Sequence, residues 1–210
     1  MVGTEIVALG VIGFSANCLV VMANTIGIEK QNPGALARGW GLIHIFLGIM
    51  MVVVGVATVM TSAVLGNDAI SGFFGTALAW FGFFWIFFGS TLVLGADLRP
   101  VGHISIPFAI VDLWFIYGSL SVYQKLGISG APGQIGPGLY SFTILLVILT
   151  VVFILLWPGT HGKAGALKVN AYLLIILALL GFYIAFGFFF PGFPGGALPL
   201  VGGYDRFIPY

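Results

Sequence analysis

The stretch from Phe81 to Pro100, FGFFWIFFGSTLVLGADLRP, decides how the chain is organised, because an aromatic-rich apolar segment here runs into a short polar turn. At helical spacing Phe81, Trp85 and Phe88 fall on one stripe of that segment. A ladder of rings beside small polar residues can line a narrow slot for a small, flat, uncharged solute. The same rings can instead face lipid or pack against other helices, so their spacing alone leaves both interpretations open. The neighbouring stripe carries Phe84, Phe87 and Thr91.

The composition of the chain is typical of a membrane protein. Of its 210 residues 60% are hydrophobic and 6% are charged, and the mean hydropathy is +1.16. Soluble domains carry about a quarter charged residues, so we predict an all-α integral membrane protein. The formal net charge of +1 provides no basic patch for nucleic acid, which we therefore exclude as a partner.

The sequence carries no pattern of a cofactor site, a metal site or a catalytic centre. Its single cysteine, Cys18, can form no intramolecular disulfide and no cysteine-based metal site. His44, His103 and His161 are scattered without the HxxxH spacing of metal ligands. The motifs GxSxG, HExxH and CxxC do not occur in the sequence, nor does a phosphate-binding glycine loop. We expect no metal, no cofactor and no enzymatic activity.

Six apolar stretches are long enough to cross the hydrocarbon core, which takes about 20 residues per helix. We predict one six-helix transmembrane domain over residues 1–190 and a Gly/Pro/aromatic tail at the outer interface over residues 191–210. No Lys or Arg precedes the first apolar stretch, so we expect that stretch to be retained as a helix and not cleaved as a signal peptide. The predicted helices cover residues 5–25, 40–64, 73–95, 104–124, 138–158 and 168–190.

Basic residues determine the expected orientation in the membrane. Five of the seven lie in or beside the first, third and fifth connections, which the positive-inside rule makes cytoplasmic. Both termini are therefore predicted on the outer side of the inner (cytoplasmic) membrane. The five are Lys30, Arg38, Arg99, Lys163 and Lys168, and the other two are Lys125 and Arg206.

Four polar residues at membrane depth or at a helix mouth are candidates for function. Asp112 either lines a pore or is the structural partner of a hydroxyl or of His44. His44 itself is either a satisfied buried imidazole or a functional group. Asn17 either joins helices or hydrogen-bonds a passing amide, since its own amide both donates and accepts. Glu5 stands at the mouth of the first helix, where a carboxylate suits the positive helix terminus.

The region around the opening stretch resembles the AmiS/UreI family of bacterial urea and amide channels. The shared elements are an FGF motif at residues 81–83, an aromatic residue shortly after it (Trp85), and a GxDxRP turn from Gly95 to Pro100. A fourth helix with Ser and Phe follows, reading HISIPFAI at residues 103–110. The first helix also looks similar, with a glycine-bearing apolar run that ends in an Asn, from Leu9 to Asn17.

The resemblance implies a homo-oligomeric ring, with a hexamer expected, in which each protomer has its own pore. Small neutral amides such as urea would pass between apolar and aromatic constrictions, and membrane lipid is the other expected partner. A flat uncharged solute can pass between rings, whereas an ion would lose hydration that apolar walls do not replace. The predicted pore residues are Phe81, Trp85, Phe88, Phe14 and Asn17, and the structural cytoplasmic turn comprises Asp97, Arg99 and Pro100.

The chain departs from the family's urea channels in its last two helices. Those members carry tryptophans in the fifth helix and a glutamate in the sixth. Here Trp157 stands only at the end of the fifth helix, and the sixth has no carboxylate. On the side of the fifth and sixth helices, the aromatic wall of the pore would come from Phe153, Tyr172 or Phe182. Asp112 would replace the missing carboxylate from another helix. The outward loops lack histidine, so we predict no sharp acid gating.

Two other functions stay open. An Asn-Pro-Gly stretch at residues 32–34 faintly resembles the NPAPLG opening of six-helix acetate permeases, although here it follows the first helix. A channel or proton-coupled carrier for acetate or another small monocarboxylate would suit the membrane-buried Asp112 and His44. Alternatively, the chain is a non-transporting accessory subunit of a membrane complex, whose aromatic faces bind partner helices or lipid.

Overall fold

The computed structural model describes residues 4–27, 33–61, 68–125 and 137–189, and these residues form six α-helices. Each helix is long and apolar enough to cross a membrane, which confirms the predicted all-α, multi-pass fold. The predicted tail at residues 191–210 lies outside the described residues. The helices are α1 (Thr4–Ile26), α2 (Pro33–Met60), α3 (Asp68–Leu94), α4 (Arg99–Lys125), α5 (Pro137–Thr160) and α6 (Ala164–Phe189).

Four helices begin at least four residues earlier than their apolar stretches predict. α2 begins at Pro33 instead of residue 40, α4 at Arg99 instead of residue 104, and α6 at Ala164 instead of residue 168. α3 begins at Asp68 instead of residue 73. Hydropathy marks the residues that cross the hydrocarbon core, but a helix that continues beyond the core still satisfies its own backbone hydrogen bonds. The connections predicted at residues 26–39, 65–72, 96–103 and 159–167 are therefore shorter than expected.

The helices form a ring around the interior of the bundle, in the order α3, α2, α1, α6, α5, α4, with α4 closing against α3. Neighbouring helices run in opposite directions. Across α4 and α5, for example, Ser105 contacts the backbone of Phe153 while Ser119 contacts Thr143. The start of α1 and the end of α6 consequently lie at the same end of the bundle. The opposite end carries the basic residues Arg38, Arg99, Lys163 and Lys168.

Three reciprocal glycine pairs hold α2 and α3 together. A Cβ atom built on either member of a pair would lie only 2.5 to 2.8 Å from the carbonyl oxygen of the other member, so the two backbones approach as closely as glycine allows. Both sets of glycines repeat every seven residues, which is the period of left-handed helix pairs. We name this contact the glycine seam. Its pairs are Gly41–Gly89, Gly48–Gly82 and Gly55–Gly75.

Glycine and aspartate build the polar turn between α3 and α4. Gly95 has a φ angle of 63°, in the left-handed region that favours glycine. Its N–H and that of Ala96 donate to carbonyls in the last turn of α3, at 3.2 and 3.0 Å, which is the Schellman ending of a helix. The Asp97 carboxylate then accepts the Arg99 backbone N–H at 2.9 Å, where α4 begins. The chain therefore reverses within a few residues and fixes where α4 starts.

Candidate functional site

α3 turns its glycines toward α2 and a row of rings toward the interior of the bundle. Phe74, Phe81 and Phe88 each directly precede a glycine of the seam, and all three are buried. Because glycines and rings share the seven-residue spacing, each face of the helix is continuous along its length. The seam therefore places a row of phenylalanine rings along the interior.

The predicted neighbouring stripe of α3 does not stay together. Phe84 and Thr91 are buried, whereas Phe87 is 39% exposed. Phe87 lies to the side of the line that joins the other two residues along the helix, so its ring faces outward. Only Phe84 and Thr91 of this stripe belong to the interior.

Five rings meet near the middle of the bundle and are at most 4% exposed. Phe14 on α1 contacts Phe81 and Trp85, with ring centroids 6.3 and 6.5 Å apart. Phe153 on α5 stacks on Phe81 at 6.1 Å and meets the edge of Phe84 at 4.8 Å. We name Phe14, Phe81, Phe84, Trp85 and Phe153 the aromatic plug.

Two cavities lie along the interior, one on each side of the aromatic plug. Cavity A is nearer the end where α1 begins, and Phe14 and Phe81 form part of its wall. Cavity B is nearer the basic end, and Phe84, Trp85 and Phe153 form part of its wall. Residues of α1, α3, α5 and α6 line both cavities. These four helices therefore surround a single axial line of two cavities and a plug.

Each cavity has a volume of about 20 Å³, which is enough for one water molecule. Urea and acetamide are larger than water, so neither fits without movement of the surrounding rings. None of the described residues that line the cavities is Lys, Arg, Asp or Glu. The walls of both cavities are thus uncharged and mainly apolar.

Asn17 and His44 form a buried pair between α1 and α2. The Asn17 Oδ1 atom lies 2.7 Å from His44 Nδ1, and both side chains are fully buried. The His44 ring stacks on Trp85 at 5.6 Å and contacts Phe88 at 5.1 Å. The structure thereby brings His44, predicted only as a polar candidate, together with Asn17, Trp85 and Phe88 of the predicted pore residues, and Trp85 connects them to cavity B.

Asp112 lies elsewhere, between α4 and α5. The Thr150 hydroxyl donates to its Oδ2 atom at 2.8 Å, while Oδ1 is buried without a partner among the described residues. Asp112 lines neither cavity A nor cavity B. The predicted hydroxyl partner is therefore present, and His44 pairs with Asn17 instead of with Asp112. A pore-lining role for Asp112 stays a prediction.

The predicted residues at the helix ends are exposed. Glu5 lies in the first turn of α1. Arg99 Nε donates to Asp97 Oδ2 at 2.7 Å and its guanidinium forms an ion pair with the same carboxylate, and Pro100 follows in the first turn of α4. Hydrogen bonds from the Arg99 side chain and from its backbone N–H lower the pKa of the Asp97 carboxyl from 3.8 to about 2. The Asp97 carboxylate is thus bound to the start of α4.

His103 and His161, far apart in the sequence, are neighbours in the structure. Their ring centroids are 4.9 Å apart where the start of α4 meets the end of α5. His161 also stacks on Trp157, and its Nδ1 atom lies 2.6 Å from the Trp157 carbonyl oxygen. In the part of the chain that the structure describes, no three His, Cys, Asp or Glu side chains converge as metal ligands.

Two site residues were not identified securely from the sequence. Of the three aromatic residues considered for α5 and α6, Phe153 belongs to the plug, whereas Tyr172 is 56% exposed and Phe182 is half-buried. Asn170 on α6 lines cavity B, and its buried amide oxygen has no partner among the described residues. An asparagine within a predicted membrane-spanning helix is the signal that would have drawn attention to it.

Comparison with known proteins identifies the fold. No family model matches the sequence, and no curated protein matches it. The solved structure of the bacterial acetate channel SatP matches with a TM-score of 0.58, over 89% of this chain and 91% of that chain, at 19% sequence identity. At this identity the likeness shows a shared fold. The chain is therefore a multi-pass helical membrane protein with the fold of SatP, and its AmiS/UreI resemblance stays a prediction.

Proposed function

We propose that the chain is a passive membrane channel for small uncharged amides, such as urea and acetamide-like solutes. One observation carries the proposal: two cavities lie in line within a single chain, and the aromatic plug separates them. A solute path through one protomer requires such a line of spaces, whereas a bundle that only packs against partner helices does not.

The walls favour uncharged solutes over ions. An ion that enters an apolar cavity loses its hydration, and the described lining residues include no opposite charge to replace it. A neutral amide loses much less, because its faces are flat and its few polar atoms need few partners. The channel therefore selects by charge and size before any specific contact is made.

Passage requires the plug rings to move, because the cavities accommodate only water. The glycine seam fixes the α3 backbone against α2, so backbone movement there is costly. Rotation of the Phe81 and Phe153 side chains between staggered rotamers opens the same path with less disturbance. We infer that these two rings, which stack at 6.1 Å, form the gate.

Acetate is the second candidate solute, because this chain has the fold of the acetate channel SatP. The uncharged lining favours the neutral acid over the anion as the permeating form. Asp112 is bonded to Thr150 and lines neither cavity, which favours an uncoupled pore over a proton-coupled carrier. Acetic acid and acetamide have similar size and shape, so one plug would suit both.

We further propose that the protein forms a homo-oligomeric ring, a hexamer by family resemblance, in the inner membrane with both termini outside. Large apolar side chains cover the outer faces of α2 and α4, including Phe46, Val53, Leu113, Trp114 and Tyr117. Such faces suit contact with lipid or with neighbouring protomers. Native mass spectrometry of the protein in detergent gives the subunit number, and a monomer would contradict the ring.

Stopped-flow light scattering on proteoliposomes tests the proposed function. Vesicles with the protein are compared with empty vesicles for urea, acetamide, formamide and acetate. Fast swelling with the neutral amides supports the amide channel, and acceleration by acetate alone replaces it with the monocarboxylate function. No acceleration by any solute contradicts a channel and favours the accessory subunit.

A further inference from the structure

We propose that His44 and Trp85, positioned by Asn17, form the solute-recognition site of the pore. This inference rests on the proposed function and names the residues that hydrogen-bond the solute. The site would bind a solute in which a carbonyl oxygen stands beside an N–H or O–H group, as in a primary amide, urea or an undissociated carboxylic acid.

The Asn17 contact determines which nitrogen of His44 carries the proton. Asn17 presents its carbonyl oxygen, an acceptor, to His44 Nδ1 at 2.7 Å, so Nδ1 must donate. In a neutral imidazole the other nitrogen, Nε2, is then an acceptor. Asn17 is therefore a positioning residue: because it holds the His44 proton on Nδ1, it leaves the Nε2 lone pair of His44 free to accept a hydrogen bond.

Two polar groups of the stacked pair remain, His44 Nε2 and the Trp85 indole N–H. His44 Nε2 and the Trp85 indole N–H are both buried without a hydrogen bond among the described residues. The first accepts and the second donates. Leaving such groups unpaired in a dry interior is costly, so a passing solute that satisfies both is stabilised where it pairs with them.

The two rings are held beside the path. They stack with centroids 5.6 Å apart and planes 17° apart. Trp85 also belongs to the aromatic plug and lines cavity B, whereas His44 lines neither cavity and is connected to cavity B through its stack on Trp85. The acceptor and the donor thus belong to one stacked pair of rings, one of which is part of the aromatic plug.

Substitutions that remove the two nitrogens while keeping an aromatic ring test the recognition role. His44→Phe keeps an aromatic ring and removes Nε2, while Trp85→Phe removes the indole N–H. We expect each to slow acetamide and urea entry about tenfold, as the loss of one buried hydrogen bond worth about 1.4 kcal/mol does. Osmotic water entry into the same vesicles should change far less, because water is small enough for the cavities as they are.

Trp80→Phe is the matched control, because Trp80 lies on the same helix and its indole N–H is also buried without a partner. Its ring stacks on Phe108, lines neither cavity, and belongs neither to the aromatic plug nor to the His44–Trp85 stack, so amide entry should stay at the wild-type rate. His44→Gln retains an acceptor and should recover part of the flux lost in His44→Phe. Each variant is folded if it elutes from size exclusion at the wild-type volume. If His44→Phe does not fold, Trp85→Phe alone tests the recognition site.

The outcomes separate this inference from the proposed function. If wild-type vesicles conduct amides and both His44→Phe and Trp85→Phe keep the wild-type ratio of amide to water entry, the recognition site is refuted and the channel stands. If wild-type vesicles conduct neither amides nor acetic acid, the channel and the recognition site both fail. Acetamide at neutral pH and acetate at pH 5 distinguish the two solute classes, and a loss confined to one of them assigns the site to that class.

Discussion

The glycine seam between α2 and α3 and the contact between α4 and α5 are held by different means. The glycine seam joins backbone to backbone through three glycine pairs. The contact between α4 and α5, which we name the polar seam, relies on side-chain hydrogen bonds, among them Ser105 to the Phe153 carbonyl at 2.7 Å and Thr150 to Asp112 at 2.8 Å. Lipid offers no hydrophobic drive between helices, so close packing and polar bonds are the two available means of association. The glycine seam should tolerate no added atom, whereas the polar seam should tolerate isosteric exchange.

The largest effect is expected for Gly48→Ala in the glycine seam. The new Cβ would lie 2.8 Å from the Gly82 carbonyl oxygen and 3.0 Å from the Ile86 backbone nitrogen, so the two helices must separate. Overpacking of this kind costs about 1–3 kcal/mol. Unfolding of the purified protein, followed by circular dichroism in a denaturing-detergent titration, measures the change.

Gly39→Ala on the same helix is the control for that substitution. Nothing lies within 4 Å of a Cβ at Gly39, and the residue is exposed. Its free energy of unfolding should equal that of the wild type or exceed it slightly, since alanine favours helix over glycine. Equal loss of stability in both variants would show that the seam is not the close contact described.

A smaller effect is expected for Thr150→Val in the polar seam. Valine matches the shape of threonine but removes the hydroxyl that donates to Asp112. One hydrogen bond contributes about 1 kcal/mol, so the same unfolding titration should show a loss below that of Gly48→Ala. A loss larger than that of Gly48→Ala would reverse the comparison between the seams.

Asp112→Asn should leave both stability and amide flux nearly unchanged. The amide oxygen can accept the Thr150 hydroxyl as the carboxyl oxygen does, and Asp112 lines neither cavity. Equilibrating acetamide entry into proteoliposomes measures the flux. Loss of flux with retained folding would contradict an uncoupled pore and favour the proton-coupled carrier.

A slight, pH-dependent effect is expected for the exposed turn that contains Asp97. Its pKa is lowered to about 2 by Arg99, against an ordinary value of 3.8. A carboxyl group whose pKa is lowered in the folded state stabilises the protein at pH values above its ordinary pKa. This stabilisation is lost as pH falls from about 4 to 2. Asp97→Asn should therefore match the wild type at pH 2 and fall slightly below it at pH 6. Identical pH profiles of stability for the two proteins would show that the Asp97–Arg99 pair contributes nothing.

Much of this fold could be predicted from apolar runs, because six long stretches leave few alternatives in a membrane. The helix starts could not, because the apolar stretches begin at residues 104 and 168, whereas α4 already begins at Arg99 and α6 at Ala164. The glycine seam was readable in the sequence as Phe-Gly at residues 74–75, 81–82 and 88–89. Its seven-residue period predicts a helix contact, but not which helix completes it.

Part of the candidate site could be predicted from helical spacing alone. The stripe of Phe81, Trp85 and Phe88 follows from helical spacing and is buried as a unit. The pairing of Asn17 with His44 joins residues 27 positions apart on different helices, and no local pattern encodes it. Phe153 was one of three candidates because each apolar helix offers several rings, and only packing selects the one that faces the interior.

The central claim is that solute passes through the aromatic plug, and blocking the plug tests it most directly. Phe81→Trp enlarges a plug ring, whereas Phe83→Trp makes the same change on the same helix at a residue that is 55% exposed. Acetamide entry into proteoliposomes is measured by stopped-flow light scattering for both variants and the wild type. The account predicts that Phe81→Trp abolishes the acceleration over empty vesicles while Phe83→Trp retains it. Wild-type entry rates in folded Phe81→Trp would contradict a path through the plug.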